Sequence, residues 1–481
     1  MREECGIVGI SLEEGRRDVA VQLYYSLFAL QHRGQESAGI SVHDGIEVRT
    51  KKGMGLVPQV FSKEDLIELA SSTGIGHVRY STTGASSIEN AQPLVINYRD
   101  GTLALAHNGN LVNSQELRYR LEAENRIFLS DSDTEVIAQV FIKELSRKDL
   151  VGAIKDVVRA LSGSYSIVML IGDRVIAFRD PLGIKPFCIG RLDSGYIVAS
   201  ESSAIDVLGG LYLRDVKPGE LVILENGEMK AIELYRLKHS AHCLFEHIYF
   251  SRADSILDGK LIYQSRIRIG ERLYEEHPVD ADIVFPVPDS GITFALGYSK
   301  GSNIPYLEGL MKNRYSVRTF ILPGQDMRET AVRLKLNTIK ANVAGKRVVI
   351  VDDSIVRGTT SRRIVEMVRA AGAEEVHVRV GSPPIIAPCY LGIDMPTRSE
   401  LIAANRSIQS VERLINADTL GYISIEGLVD SIGIPEEDFC TGCLTGTYPV
   451  EIPGERCIIS QLKITEFEEE GEDEMIKPEL Y

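Results

Sequence analysis

The sequence predicts two joined domains: an α+β domain with much antiparallel sheet, then an α/β domain built on a mainly parallel sheet. Three observations predict this. The chain has 481 residues, about three times a typical domain of ~150 residues. Its first half carries short β-branched and aromatic runs separated by Gly, Asp or Ser. Its second half carries continuous apolar runs that stop at acidic residues and alternate with a helical pattern, the mark of buried parallel strands with crossover connections.

The first-half elements follow in order. Apolar residues recur at helical spacing over 18–31 and 148–161. YSIVMLI (165–171), RVIAFRD (174–180) and GYIVASE (195–201) read as strands. ELVILENGEMKAIEL (220–234) reads as a hairpin turning at Asn226-Gly227. A domain boundary is expected near 235–245, giving a first domain over 5–238 and a second over 239–462. In the second, ADIVFPVPDS (281–290), KRVVIVDDS (346–354) and EEVHVRVGSP (374–383) are the buried strands. Between the last two, Ile364, Met367, Val368 and Ala371 form one helical face, closed by Gly372 as C-cap. Residues 463–481 form an acidic tail; 466–474 alone hold seven acids and no base, and such a run is expected to be solvated.

Composition narrows the function classes. The chain is 44% hydrophobic and 25% charged, with net charge −15. That balance argues against nonspecific nucleic-acid binding and against an anionic membrane surface. No apolar run is long enough to span a bilayer. MREECGIVGI has two acids before its apolar stretch, unlike a signal peptide. Seven cysteines in a chain this long are not a disulfide framework. The expected compartment is the cytoplasm.

Four segments carry the first chemistry. Cys5 opens the apolar strand CGIVGI. GHVRYST (76–82), AHNGNL (106–111) and SDSDTEV (130–136) put polar residues where turns meet strands. They offer an arginine, a side-chain amide beside a glycine amide, and an acid: the parts that hold an amino acid and stabilise an acyl-transfer oxyanion. A lone cysteine is more often a buried structural thiol. Together these segments resemble the N-terminal-nucleophile glutamine amidotransferases. The resemblance implies an αββα glutaminase domain in which the leader Met1–Glu4 is removed, so that the freed α-amine of Cys5 serves as base for its own thiol. An α-amine has a reference pKa of about 7.7–8.0, so no catalytic histidine is required. By the same resemblance Asn108 and Gly109 form the oxyanion hole. Arg79 binds the glutamine α-carboxylate and Asp133 its α-ammonium, and LQHRGQESAG (30–39) is similar to the family's loop beside the site, with Arg33 and Gly34 lining it.

VVIVDDSIVRGTTSRR (348–363) carries the second chemistry. A strand ends in two adjacent acids, and a short loop leads to Gly358-Thr359-Thr360-Ser361 at a helix start. Amides and hydroxyls there suit a phosphate, and paired acids suit ribose hydroxyls or a divalent ion. A strand-to-helix turn with Asp caps would explain one Asp and one Thr, not the whole string. The segment resembles the phosphoribosylpyrophosphate signature of type I phosphoribosyltransferases. The resemblance implies that Asp352 and Asp353 hold the ribose diol and assist Mg²⁺. Ser354, Arg357, Gly358, Thr359, Thr360 and Ser361 wrap the 5′-phosphate, and Ser290 in VPDSG (287–291) joins the metal shell. KNRYSVRTFI (312–321), continuing through RETAVRLKLN (328–337), resembles the loop that closes over pyrophosphate. It presents Lys312, Arg314, Arg318, Arg328 and Arg333.

Both halves in this order resemble the amidophosphoribosyltransferase family over residues 5 to about 460. That implies a glutamine-dependent enzyme forming 5-phosphoribosylamine, pyrophosphate and glutamate, the first committed step of purine synthesis. It also implies feedback by purine nucleotides and a homotetramer. Rival readings are a hexosamine-forming amidotransferase, which would need sugar-isomerase domains, and an inactive phosphoribosyl-binding regulator. Among the remaining cysteines, Cys188 and Cys457 lie in apolar contexts and are expected to be inert. Cys440 and Cys443 form CTGC, and Cys389 and Cys243 sit in APCYLGI and SAHCLFEH. Four thiolates suit zinc or an iron–sulfur cluster by spacing alone. The family resemblance implies one structural [4Fe–4S] cluster on Cys243, Cys389, Cys440 and Cys443. His32, His77 and His107 are expected to make structural hydrogen bonds.

Overall fold

The computed structural model of the chain describes residues 5–80, 86–313, 336–395 and 397–454. The leader 1–4, the acidic tail, Cys457 and the loop arginines Arg314, Arg318, Arg328 and Arg333 lie outside the described residues.

Two antiparallel sheets form the first part. The 7-stranded sheet runs in the order Leu211–Asp215, Cys188–Leu192, Gly195–Ala199, Gly6–Leu12, Thr73–Arg79, Ser37–His43, Val48–Met54. The 6-stranded sheet runs Glu228–Glu233, Glu220–Glu225, Arg174–Arg179, Gly163–Ile171, Gly101–Leu111, Leu94–Tyr98. The sheets face each other through a core that includes Ile7, Ile75, Ala106, Val168 and Val198. Helix Val19–Ala29 covers the first sheet, burying Ala20, Leu23 and Leu27. Helices Asp133–Leu145 and Leu150–Ala160 cover the second. The layers are therefore αββα, as the resemblance implies. The hairpin turns at Asn226 and Gly227, both with positive φ (49° and 72°), the conformation a two-residue turn needs to match strand twist.

The second part holds a 4-stranded parallel sheet in the order Ile283–Pro286, Arg347–Asp352, Glu375–Val380, Thr419–Tyr422. Helix Thr359–Ala370 crosses from the second strand to the third. Its buried residues are Ser361, Ile364, Val365 and Val368. Val365 thus replaces Met367 at the centre of the expected face, because the inward direction falls between positions 364, 365 and 368 at 100° per residue. Gly372 stands one position beyond the C-cap Ala371, at φ +100°.

Between the two parts lies a short parallel ladder joining His242–Cys243 to Phe439–Cys440. The amides of Ala241 and Cys243 donate to the carbonyls of Leu182 and Ile184, so the second part is stitched onto the edge of the first.

Candidate active sites

Cys5 is buried at the start of the central strand Gly6–Leu12, and its Sγ donates to the Tyr80 carbonyl at 3.4 Å. Gly6 pairs with Val78, which brings Cys5 beside Arg79, itself buried at the end of its strand. The facing sheet supplies Asn108 and Gly109, paired with Ser166 and Tyr165. Gly109 has φ +151°, and a Cβ there would stand 2.0 Å from the Ser164 carbonyl oxygen, so only glycine fits. The Asn108 side-chain nitrogen is buried with no hydrogen-bond partner. An unmade buried donor is costly, and its retention points to a ligand that completes it.

Asp133 opens helix Asp133–Leu145, after the N-cap Ser132. Its Oδ2 accepts from the Leu111 amide at 3.1 Å, and its Oδ1 lies 3.6 Å from His107 Nδ1. Burial pushes its carboxyl upward, but His107 and the Leu111 and Thr134 amides outweigh that and hold it below the usual range. The helix N-terminus acts in the same direction. An ionised, buried carboxylate here can receive an ammonium group. His77 is fully buried and pushed down to about 3 by burial and by Arg79, so it is neutral; its Nε2 faces the His107 carbonyl at 3.3 Å. His32 Nε2 bonds Glu201 Oε1 at 2.7 Å. The three histidines thus make internal bonds.

Arg33 does something the motif did not suggest. Its guanidinium is fully buried, and Nε donates to the Cys5 carbonyl at 3.0 Å. Nη1 meets Glu201 at 2.6 Å, and Nη2 meets Glu246 at 2.6 Å. These contacts place Arg33 against the backbone of Cys5 and anchor it to two acids. Gly34 packs on the backbone of Val78 and Arg79. Glu201 and Glu246 escaped sequence reasoning. The one available signal was an acid inside the apolar run HCLFEHIYF. Glu246 sits on a π-helical turn, Glu246–Phe250, a rare form often found at functional sites.

The second site lies at the carboxyl ends of the parallel strands. A cavity of about 300 Å³ is lined by Tyr249, Val287, Ser290, Asp352, Asp353 and residues 354–361. The structure brings together every expected residue of the 352–361 loop and Ser290. Ser290 Oγ donates to Asp353 Oδ1 at 2.5 Å, Ser354 Oγ to Asp353 Oδ2 at 2.6 Å, and the Asp353 amide to Asp352 Oδ1 at 2.9 Å. Gly358, left-handed at φ 72°, leads into helix Thr359–Ala370 without a side-chain cap, so that first-turn amides are open to the cavity. Burial and the neighbouring Asp353 push the Asp352 carboxyl well above the usual range. Two crowded carboxylates with a hydroxyl are a donor set that a hard divalent cation fits, because its charge relieves their repulsion. Buried Arg266, pushed down to about 10 by burial and sustained by Asp353, Glu201 and Glu246, stays charged behind the pair. Lys312 Nζ stands outside the cavity, 2.5 Å from Asp289 Oδ2. Arg357 is turned to Glu400 at 2.9 Å.

The cysteines at the junction converge. Cys243 and Cys440 are paired residues of the short parallel ladder. The Cys443 carbonyl accepts from the amides of Ile386 and Ala387, just before Cys389. None of the four is in a disulfide. Burial, then Cys389, Cys440 and Cys243, push the Cys443 thiol well up, and burial raises Cys440 to about 12. Four cysteines brought together at one junction are a donor set that suits zinc or an iron–sulfur cluster. Among the described residues, no group of three or more His, Cys, Asp or Glu is arranged to hold a single metal ion.

Comparison with known proteins agrees with this two-site geometry. A family model described as a glutamine amidotransferase domain matches residues 77–207. One described as a phosphoribosyl transferase domain matches residues 252–380. The chain is 54% identical to the amidophosphoribosyltransferase of Archaeoglobus fulgidus, covering 94% of this chain and 99% of that one. It is 46% identical to that of Bacillus subtilis, covering 94% and 95%. The solved glutamine phosphoribosylpyrophosphate amidotransferase of B. subtilis, complexed with ADP and GMP, superposes with a TM-score of 0.87 at 45% identity over 94% of this chain and 98% of that one. With both domain models, full-length relatives and the same fold in hand, the chain belongs to the amidophosphoribosyltransferase family.

Proposed function

We propose that this chain transfers the amide nitrogen of glutamine to phosphoribosylpyrophosphate, giving 5-phosphoribosylamine, glutamate and pyrophosphate. The observation that carries the reading is the pairing, in one chain, of two things: a buried cysteine opening the central strand of one sheet, with an unpartnered Asn108 side-chain nitrogen on the facing sheet, and a loop-and-helix cavity lined by two acids. In this reading the Cys5 thiolate attacks the glutamine carboxamide, and the Cys5 α-amine, freed by loss of Met1–Glu4, takes and returns the proton. Asn108 and the Gly109 amide stabilise the oxyanion. Arg79 and Asp133 bind the amino-acid end. Glutamate leaves after water hydrolyses the thioester, and the released ammonia displaces pyrophosphate at C1 of the sugar. Asp352, Asp353 and residues 354–361 orient the sugar phosphate, and the loop that begins at Lys312 would supply positive charge for the pyrophosphate. Mg²⁺ would be held by Asp352, Asp353 and Ser290, and supplies charge neutralisation on the leaving group.

The finer readings are proposals of the same kind. Cys243, Cys389, Cys440 and Cys443 would hold a structural [4Fe–4S] cluster; the convergence of four cysteines, none in a disulfide, supports it. Purine nucleotides would inhibit, as the nucleotide complex of the B. subtilis relative suggests. A cytoplasmic homotetramer is the form the family resemblance implies.

The test is Cys5→Ala in protein purified without air. Glutamine-dependent turnover should vanish while turnover with ammonium chloride persists. Parent protein should show an intact mass beginning at Cys5, with four iron and four sulfide per chain. Equal loss of both activities would sink the split-site reading. Zinc without acid-labile sulfide would sink the cluster.

A further inference from the structure

The strand that carries Asn108 and Gly109 is held by residues from the other part of the chain. Asn110 Nδ2 donates to the Tyr390 carbonyl at 2.8 Å, and Ser164 Oγ donates to the Leu391 carbonyl at 2.8 Å. Ser164 is the strand partner of Asn110, and its Oγ also accepts from the Asn110 amide at 3.3 Å. One hydroxyl and one carboxamide therefore fasten the turn Tyr390–Gly392 across the rung next to Gly109. Gly392 comes closest. Its φ is +97°, and a Cβ there would stand 3.1 Å from the Gly109 carbonyl carbon and 2.9 Å from Lys185 Cε. Lys185 is fully buried, so the turn has a packed floor on that side.

We propose that the turn Tyr390–Gly392 is a positioning element for the glutamine half-reaction, and that Asn110, Ser164 and Gly392 are its positioning residues. The inference rests on the reading of Asn108 and Gly109 as the oxyanion donors. Such donors work only when they are aimed before charge develops. Gly109 is the least constrained residue type and sits two residues from the end of its strand. At Gly109 the ladder pairing comes from the neighbouring strand Gly163–Ile171; the turn pressed against its backbone adds a second constraint on the direction of its N–H. The same turn is tied to a thiol, since the Leu391 amide donates to Cys389 Sγ at 3.3 Å. A change at Cys389 therefore reaches the glutamine site through one turn.

The experiment compares Gly392→Ala and the double variant Asn110→Ala/Ser164→Ala with Asn108→Ala, in full-length protein. Glutamine hydrolysis and ammonium-chloride-dependent turnover are measured at saturating phosphoribosylpyrophosphate. Gly392→Ala should lower kcat for glutamine by roughly 10- to 100-fold, below the ~10²–10³-fold loss expected for Asn108→Ala. The double variant should lose about 3- to 10-fold for each lost hydrogen bond. Glutamine KM should stay within about 2-fold and the ammonia rate should be unchanged, since neither donor binding nor sugar binding is touched. If Gly392→Ala fails to fold, the double variant decides. Parental glutamine kcat in the double variant, with Asn108→Ala impaired, would overturn the positioning role alone. Parallel loss of both activities would reduce the turn to a structural one. A parental Asn108→Ala would overturn the oxyanion reading, and the positioning role with it.

Discussion

Asn108→Ala separates chemistry from folding more cleanly than any other single change. In the resting protein the Asn108 side-chain nitrogen is buried and makes no hydrogen bond. Removing it takes nothing from the native hydrogen-bond network. It also relieves the cost of a buried unmade donor, about 1–3 kcal/mol. Against that stands the void left by the truncated side chain, and large-to-small changes in a packed interior cost about 2–5 kcal/mol for a whole aliphatic side chain, less for this smaller one. The two effects have opposite sign and similar size, so thermal stability should move by no more than a few degrees. Turnover should respond quite differently. An oxyanion donor acts only as charge develops on the carboxamide oxygen, and its loss costs ~10²–10³ in kcat, or about 2.7–4 kcal/mol. Steady-state glutaminase assays, with ammonia-dependent synthesis as internal control, measure this directly. Glutamine kcat should fall by that factor with KM little changed and the ammonia rate intact. A large drop in melting temperature with proportionate loss of both activities would show that Asn108 is a structural residue and refute the reasoning.

Two further predictions use the buried acids. Asp133→Asn should raise glutamine KM by roughly 10- to 100-fold, the worth of a charge-assisted bond to an ammonium, with a smaller effect on kcat. Because the folded Asp133 carboxyl lies below its ordinary value, its stabilisation is present above about pH 4 and is lost as pH falls through the lower folded value. The melting-temperature gap between parent and variant should close on acidification; a gap that widens would contradict the assignment. Asp352→Asn should abolish phosphoribosyl transfer from glutamine and ammonia alike while stabilising the ligand-free protein near neutrality. The Asp352 carboxyl is raised by burial and Asp353, so it opposes folding above its folded value, and the gain should vanish below about pH 4, where both states are protonated. A variant less stable than the parent at pH 7 would count against it.

The sequence made much of this legible because the informative signals are local. The turn at Asn226-Gly227, the apolar run ending in Asp352-Asp353 and the Gly-Thr-Thr-Ser helix start each declare themselves within a few residues. So did Asn108-Gly109, where a tight approach admits only glycine. The rest depended on partners far away in the chain. Arg33 looked like a site-lining residue, yet it meets Glu246 at a separation of 213 positions. Burial periodicity carries no trace of such a pair, because a buried charge is tolerated only through a partner that periodicity cannot locate. Arg266 behind Asp353 and Tyr249 in the cavity wall were hidden for the same reason.

The Arg33–Glu246 contact also bears on how such a protein can be taken apart or recombined. Both side chains are essentially inaccessible, and they come from opposite parts of the chain. A glutaminase fragment cut after the hairpin would keep the Arg33–Glu201 pair but lose Glu246. The loss removes one of two buried acids from a guanidinium that is fully enclosed in the intact chain, and breaking a buried pair is destabilising. The two catalytic units are therefore not interchangeable cassettes. A chimera that exchanges one of them has to bring a matching acid on the π-helical turn, or the guanidinium that supports the cysteine's backbone loses one of the acids that hold it.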